Sequence, residues 1–260
     1  MRLTFGLFLG IFVGLTLGLI GGGGSILAVP ILKYVIGVST KEAIAMSLFI
    51  VGIVSIIGLI PHWRQGNVNF SIALIFIPPA MIGSFLGAKI SDLPIINETI
   101  QLISFGIIML LASVLMILKS NQKSENKDII LPEKKEIIKN KYSQLFITII
   151  EGFGVGILTG FVGVGGGFLI IPALVLVGGI PMKEAVGTSL IIIAFNSVSG
   201  FVGYLNQVNL NWLLMISFTV AASIGIIMGG YLSEKINAKY LQKGFGYFVL
   251  TVAIFILIVR

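Results

Sequence analysis

The residues that could do chemistry in this chain are few, and most carry no charge. Two glycine clusters sit inside long apolar stretches: "GLIGGGGSILAVP" from Gly18 to Pro30 and "GFVGVGGGFLIIP" from Gly160 to Pro172. Consecutive glycines free the backbone from helical dihedrals, and each costs about 1 kcal/mol relative to alanine in a helix interior. Each cluster therefore marks a helix break. Broken backbone at membrane depth is tolerated only where protein or a watery cavity satisfies it. A helix that starts after such a break points free N–H groups and a positive dipole end back at it, and such an end binds anions. The expected chemistry is capture of a small anion by backbone amides. Gly22, Gly23, Gly24 and Ser25 would serve one side, and Gly165, Gly166 and Gly167 the other. The competing expectation is a tight turn between packed helices that holds no ligand.

Polar side chains inside the apolar runs extend this list. Ser47 lies in one run; Thr188, Ser189 and Asn196, with Ser197 and Ser199, lie in another. Ser189 and Asn196 are seven apart, so about two turns separate them on one helical face. Hydroxyls and amides hydrogen-bond anion oxygens without the desolvation cost of a buried charge. Such residues also stitch helices together. Glu151, in "LFITIIEGFGVGIL", is the one acid well inside an apolar run, and charge at that depth points to function. His62 closes another run, beside Arg64. Glu151 and His62 are the candidates to carry a coupling proton; the alternative for both is an interfacial position.

Other chemistries are excluded. There is no cysteine and a single histidine, so neither a thiolate nor a multi-histidine metal site can form. Asp92 and Asp128 lie in polar connections, so no intramembrane protease dyad exists, and no enzyme activity is expected. Neither glycine cluster has the lysine that a phosphate-binding P-loop needs. No cofactor and no metal are expected. The net charge of +7 does not point to nucleic acid, because seven of the 17 Lys and Arg residues fall between Lys119 and Lys141.

The elements that must position these residues are membrane helices. The chain has 260 residues, of which 57% are hydrophobic and only 10% charged, against about 25% charged in soluble domains. Ten apolar segments follow from runs and breakers: 3–21, 25–36, 42–62, 70–90 and 98–118, then 142–162, 167–178, 184–205, 212–232 and 240–259. The second and seventh are about a dozen residues long, short for a full span of about 20. They suit a half-helix or re-entrant segment.

The two halves align without a gap, at one constant offset throughout. Gly10, Gly14 and Gly18 match Gly152, Gly156 and Gly160; Pro30 matches Pro172; "KEA" at Lys41 matches "KEA" at Lys183. Gln65, Asn67 and Asn69 match Gln207, Asn209 and Asn211. This is an internal duplication, a mark of many secondary transporters. The expected organisation is an N-terminal membrane repeat, 1–118, a polar linker, 119–141, and a C-terminal repeat, 142–260. Five crossings per half invert the repeats. Twelve basic residues then share one face against five on the other, which puts the linker in the cytoplasm and both termini outside. Four crossings per half would leave the repeats parallel, with a weaker bias.

The paired "GGGGSILAVP" and "GVGGGFLIIP" elements, each followed by a "KEA" helix start and Ser-Leu, resemble the TauE/SafE sulfite exporter family, as do "GNVNF" and "QVNLNW". The resemblance covers nearly the whole chain outside the linker. It implies a multi-pass transporter of small sulfur anions (sulfite, sulfonates, sulfoacetate) or other small organic anions in a bacterial or archaeal plasma membrane, with no ATPase domain. Asn69 replaces the family's more usual acidic residue, which removes one proton carrier.

The expected function is secondary transport of a small anion by alternating access around a midplane site. A passive channel of the same fold and a carrier of small carboxylates are the alternatives. The expected partners are the anion, the lipid bilayer and a coupling proton, with a homodimer left open and no nucleic acid.

Overall fold

The computed structural model describes residues 2–125, 141–162, 167–205, 207–208 and 210–259. Among them the regular structure is helical. The elements are α1 (Arg2–Ile20), α2 (Ser25–Ile36), α3 (Thr40–Arg64), α4 (Phe70–Ile90) and α5 (Glu98–Glu125). There follow α6 (Lys141–Val162), α7 (Gly167–Pro172, extended by Ala173–Val177), α8 (Met182–Tyr204), α9 (Trp212–Lys235) and α10 (Ala238–Val259). Six are long and apolar enough to cross a membrane: α3, α4, α5, α8, α9 and α10. Shorter apolar helices join them at Gly6–Ile20, Ser25–Ile36 and Phe146–Val162. Helix α5 runs on to Glu125, past the apolar segment and into the expected linker, and 126–140 lies outside the described residues.

Local chemistry sets the helix starts. The Ser39 hydroxyl accepts from the Glu42 N–H and caps α3. Asn69 accepts from the Ile72 N–H and caps α4; Asn211 accepts from the Leu214 N–H and caps α9. These side chains satisfy N–H groups that the first helical turn leaves open. In α2 and α7 a proline ends the ordinary α-helical part, Pro30 and Pro172. The chain then widens into π-helical turns at Ile31–Ile36 and Ala173–Val177. Proline has no N–H to donate and crowds the carbonyl four residues back, so a local change of helical winding follows.

Glycine sets the packing. Helix α1 lies on α9 and α6 lies on α4 so closely that a methyl group at Gly14 would strike the Ala222 carbonyl, and one at Gly156 the Ala80 carbonyl. Both pairs are parallel: Gly14 meets Ala222 and Gly18 meets Ile226, while Gly156 meets Ala80 and Gly160 meets Ser84. Each contact in one pair has its counterpart in the other at the offset that aligns the two halves of the sequence.

Helices α3 and α8 cross in opposite directions, with Leu48 near Gly200, Gly52 near Ser197 and Gly58 near Leu190. Helices α5 and α10 also run antiparallel, with Gly106 on Leu257 and Gly246 on Ile117. Thus α1, α3 and α9 point one way, and α4, α6 and α8 the other. Helix α2 brings the chain back beside α1, from Gly24 packed on Leu17 to Ile36 against Gly6.

The outer surface is apolar. Phe8, Leu74, Ile82, Leu213 and Ile258 are exposed, as lipid-facing side chains are. Trp63 at the end of α3 and Trp212 at the start of the parallel α9 are exposed at opposite faces, where aromatic belts form.

Candidate functional site: two helix breaks that meet

Helix α1 ends at Ile20, and the chain passes Gly21 with φ of 69°, a conformation that disfavours any residue with a Cβ. A tight turn over Gly22–Gly24 leads into α2. Ser25, fully buried, donates to the Gly22 carbonyl at 2.6 Å and closes that turn. The backbone of Gly22 lies directly against that of Gly167 at the start of α7, and neither position has room for a side chain. The two breaks therefore meet each other. Gly23 lies within the turn; Gly165 and Gly166 lie outside the described residues.

Ser189 stands beside the first break. A Cβ built at Gly21 would lie 2.9 Å from its hydroxyl and 3.3 Å from the Val186 Cα. Its hydrogen is engaged on the Val186 carbonyl at 2.8 Å, and that of Ser47 on the Ile44 carbonyl at 2.8 Å. Both serines are fully buried. Donation from either hydroxyl to an anion requires release of this intrahelical bond.

Thr188 and Asn196 are held by other elements. The Thr188 hydroxyl accepts from the Asn69 N–H at 2.8 Å, and the Asn69 amide donates to Glu184 Oε1 at 2.7 Å, so both tie the α3–α4 loop to α8. The Asn196 amide points to α6 and donates to Thr159 Oγ1 at 2.8 Å. Thr159 spends its one hydrogen on the Gly156 carbonyl, so it can only accept from Asn196. That fixes the amide orientation and leaves Asn196 Oδ1 buried without a partner.

His62 is buried, and its Nε2 lies 3.0 Å from the Gly18 carbonyl, one turn before the break. Glu151 lies elsewhere. It lines an otherwise apolar pocket of about 380 Å³ between α5, α6 and α7, with Oε1 unpartnered. A related pocket of about 290 Å³ lies between α2 and α10, where Tyr34 occupies the place of Leu176.

Two groups, Tyr204 and Ser55, escape inspection of the sequence. Tyr204 donates to the carbonyls of Gly160 and Phe161 at 3.2 Å, just before the second break. Ser55 and Ser197 are fully buried with unpartnered hydroxyls on α3 and α8. The signal was available: in the alignment of the two halves, Tyr204 falls opposite His62 and Ser197 opposite Ser55. The repeated glutamines also have a use, since Gln65 donates to the Gly230 carbonyl and Gln207 to that of Ala88.

An all-helical, multi-pass body with membrane-length apolar helices and broken helices packed at its centre defines a polytopic membrane protein of transporter type. Comparison with known families gives the particular class: the model for sulfite exporter TauE/SafE matches residues 6–256, and the chain belongs to that family. A probable membrane transporter protein of Xylella fastidiosa (strain Temecula1) is 33% identical over 248 residues, covering 94% of this chain and 91% of the relative. The probable membrane transporter protein YunE of Bacillus subtilis is 31% identical, covering 89% and 88%. A third relative so named, from Methanocaldococcus jannaschii, is 29% identical, covering 91% and 87%. No solved structure matches the chain.

Proposed function

We propose that the protein is a secondary transporter of a small anion, most favourably a sulfur oxyanion or organosulfonate such as sulfite or sulfoacetate. It works by alternating access in a plasma membrane, with the linker cytoplasmic and both termini outside. The halves act as an inverted pair. One observation carries this reading: two glycine breaks, one from each half, touch backbone to backbone beside the antiparallel crossing of α3 and α8. Symmetric half-helices around one point are how secondary transporters build a substrate site. Family membership supplies the sulfur-anion class.

In the conformation described, Gly22 and Gly167 close on each other and the Ser47 and Ser189 hydroxyls bond their own helices. Rocking one half against the other parts the glycines. The backbone N–H groups after each break then face the gap, and the serine hydroxyls exchange a carbonyl for an anion oxygen. Charge-assisted bonds of that kind are about twice as strong as neutral ones, which drives the exchange only when the anion is present.

The test is binding followed by flux. Protein in detergent is heated with sulfite, thiosulfate, sulfate, sulfoacetate, taurine and simple carboxylates. A shift in melting temperature with one sulfur anion, lost in Ser189→Leu, and matching uptake into proteoliposomes would support the reading. Response to carboxylates alone would replace the substrate class and keep the transporter. Ion currents far above carrier turnover would show a channel instead.

A further inference from the structure

Helix α1 ends at Ile20 and α6 at Val162, and each leaves its last carbonyls without helical partners. Two buried rings satisfy them at equivalent places. His62 takes the Gly18 carbonyl, and Tyr204 takes those of Gly160 and Phe161. His62 and Tyr204 stand opposite each other in the alignment of the halves, as do Gly18 and Gly160. The structural task is the same, so a second tyrosine would have served. The histidine adds something a phenol lacks.

A carbonyl only accepts, so His62 Nε2 must carry the hydrogen of that bond. The neutral ring then has a bare lone pair at Nδ1, and Nδ1 is buried with no partner. A proton taken up there makes an imidazolium one helical turn from the first glycine break. Ring and break share a wall on α8. Val186 lies against Gly21, and a Cβ at Gly187 would sit 3.2 Å from the His62 Cβ.

The energetics couple the two sites. The negative end of α1 favours a cation at His62. Burial without a counter-ion opposes it strongly, and an anion in the break supplies that counter-ion. Other charges around the ring are committed or peripheral. On α8, Lys183 donates to the Glu234 carbonyl and Glu184 accepts from Asn69. Glu234 and Lys235 close α9, and Arg64 is exposed at the end of the ring's own helix. Helix α1 contributes no charged group between Leu3 and Ile20.

We propose that His62 is the proton site that loads together with the anion at the first break, while Tyr204 keeps the second break silent to protons. The inference rests on the anion-transport reading. Linkage makes it reciprocal: the anion tightens the proton, and the proton tightens the anion by the same factor.

The experiment uses the full chain in proteoliposomes, with thiosulfate and sulfoacetate as probes, since neither changes charge near neutral pH. An internal pH dye follows protons. Wild-type uptake should fall roughly tenfold between about pH 5 and about pH 8, the window in which a histidine changes charge, with protons entering alongside the anion. In His62→Tyr the phenol copies the Tyr204 bond and should hold the fold, shown by an unchanged melting temperature. Its uptake should vary less than about twofold over the same window, and proton entry should vanish. His62→Gln, which also keeps a donor to the Gly18 carbonyl, should behave alike. Wild-type pH dependence and proton entry retained in both variants would overturn the assignment. A wild-type protein inert to both probes and to sulfite would overturn the anion reading, and the proton role with it.

Discussion

The two halves of the molecule share a skeleton and differ in their polar atoms. The shared part is extensive. Gly14 on Ala222 repeats Gly156 on Ala80, the Gln65 amide on the Gly230 carbonyl repeats Gln207 on Ala88, and the Asn69 cap repeats Asn211. Lys41 reaches Asp92, and Lys183 reaches Glu234. The differences sit deeper. His62 stands opposite Tyr204, the Asn196–Thr159 pair occupies the place of Val54 and Leu17, and Glu151 occupies that of Leu9. Shared contacts are those that hold helices at fixed distances. Three of the unshared groups also carry a buried atom without a partner: His62 Nδ1, Asn196 Oδ1 and Glu151 Oε1. A buried orphan polar atom costs about 1–3 kcal/mol, so these three, one in the first half and two in the second and none with a polar counterpart left bare in the other half, are the candidates for use.

The largest effects should come from breaking the shared skeleton. Gly14→Val and Gly156→Val each drive a side chain into a backbone carbonyl that cannot move away. Each should destabilise by about 3 kcal/mol, the upper range for overpacking, and by like amounts if the halves share one architecture. Gly154→Ala and Gly244→Ala meet nothing within 4 Å and should be neutral or stabilising by up to about 1 kcal/mol. Thermal unfolding in detergent compares all four. A large loss at Gly14 with none at Gly156 would sink the equivalence. Next in size is Tyr204→Phe, which strips the donor from two helix-end carbonyls. It should cost about 1–2 kcal/mol, seen as a lower melting temperature.

Most of this skeleton was legible in the sequence, because glycine every fourth position and the echo of one half in the other report backbone spacing directly. Most helix bounds were legible too, down to Ser25–Ile36, because polar breakers interrupt the apolar runs; the end of α5 at Glu125 was not, since its polar continuation carries no apolar run to mark it. The partners of the polar residues were not. Nothing local tells that Thr188 serves the Asn69 N–H, or that Asn196 faces α6 rather than the break, because those contacts join residues 119 and 37 apart. Ser47 and Ser189 hold equivalent places in the two halves, each in a Ser-Leu after a "KEA" helix start. Only coordinates show their hydrogens engaged on their own helices.

A smaller effect on stability separates architecture from use at Asn196. Thr159→Val with Asn196→Val gives the second half the apolar lining of the first. Thr159 and Asn196 bond mainly each other and the Gly156 carbonyl. Replacing both partners of a hydrogen bond by apolar groups is close to neutral, so stability should change by less than about 1 kcal/mol. Anion uptake at saturating substrate reports the use. A fall of tenfold or more, about 1.4 kcal/mol in the barrier, would place the pair in the transport cycle. Uptake at the wild-type rate would assign it to helix packing.

The smallest effect should come from Glu151→Leu, which copies Leu9 into the second half. Glu151 faces Leu169, Pro172 and Leu176 across an apolar pocket, and its Oε1 has no partner. Leucine removes the desolvation cost and adds apolar contact, so the protein should gain up to about 1 kcal/mol. The sign decides between two accounts. A gain, with the pH dependence of uptake intact, leaves His62 as the proton site and makes Glu151 a local liability of the second half. A gain accompanied by loss of pH dependence would move the proton from the first break to α6. That outcome would put the coupling residue about three turns ahead of the second glycine cluster, on the same helix, and would make the two halves unequal in the opposite sense.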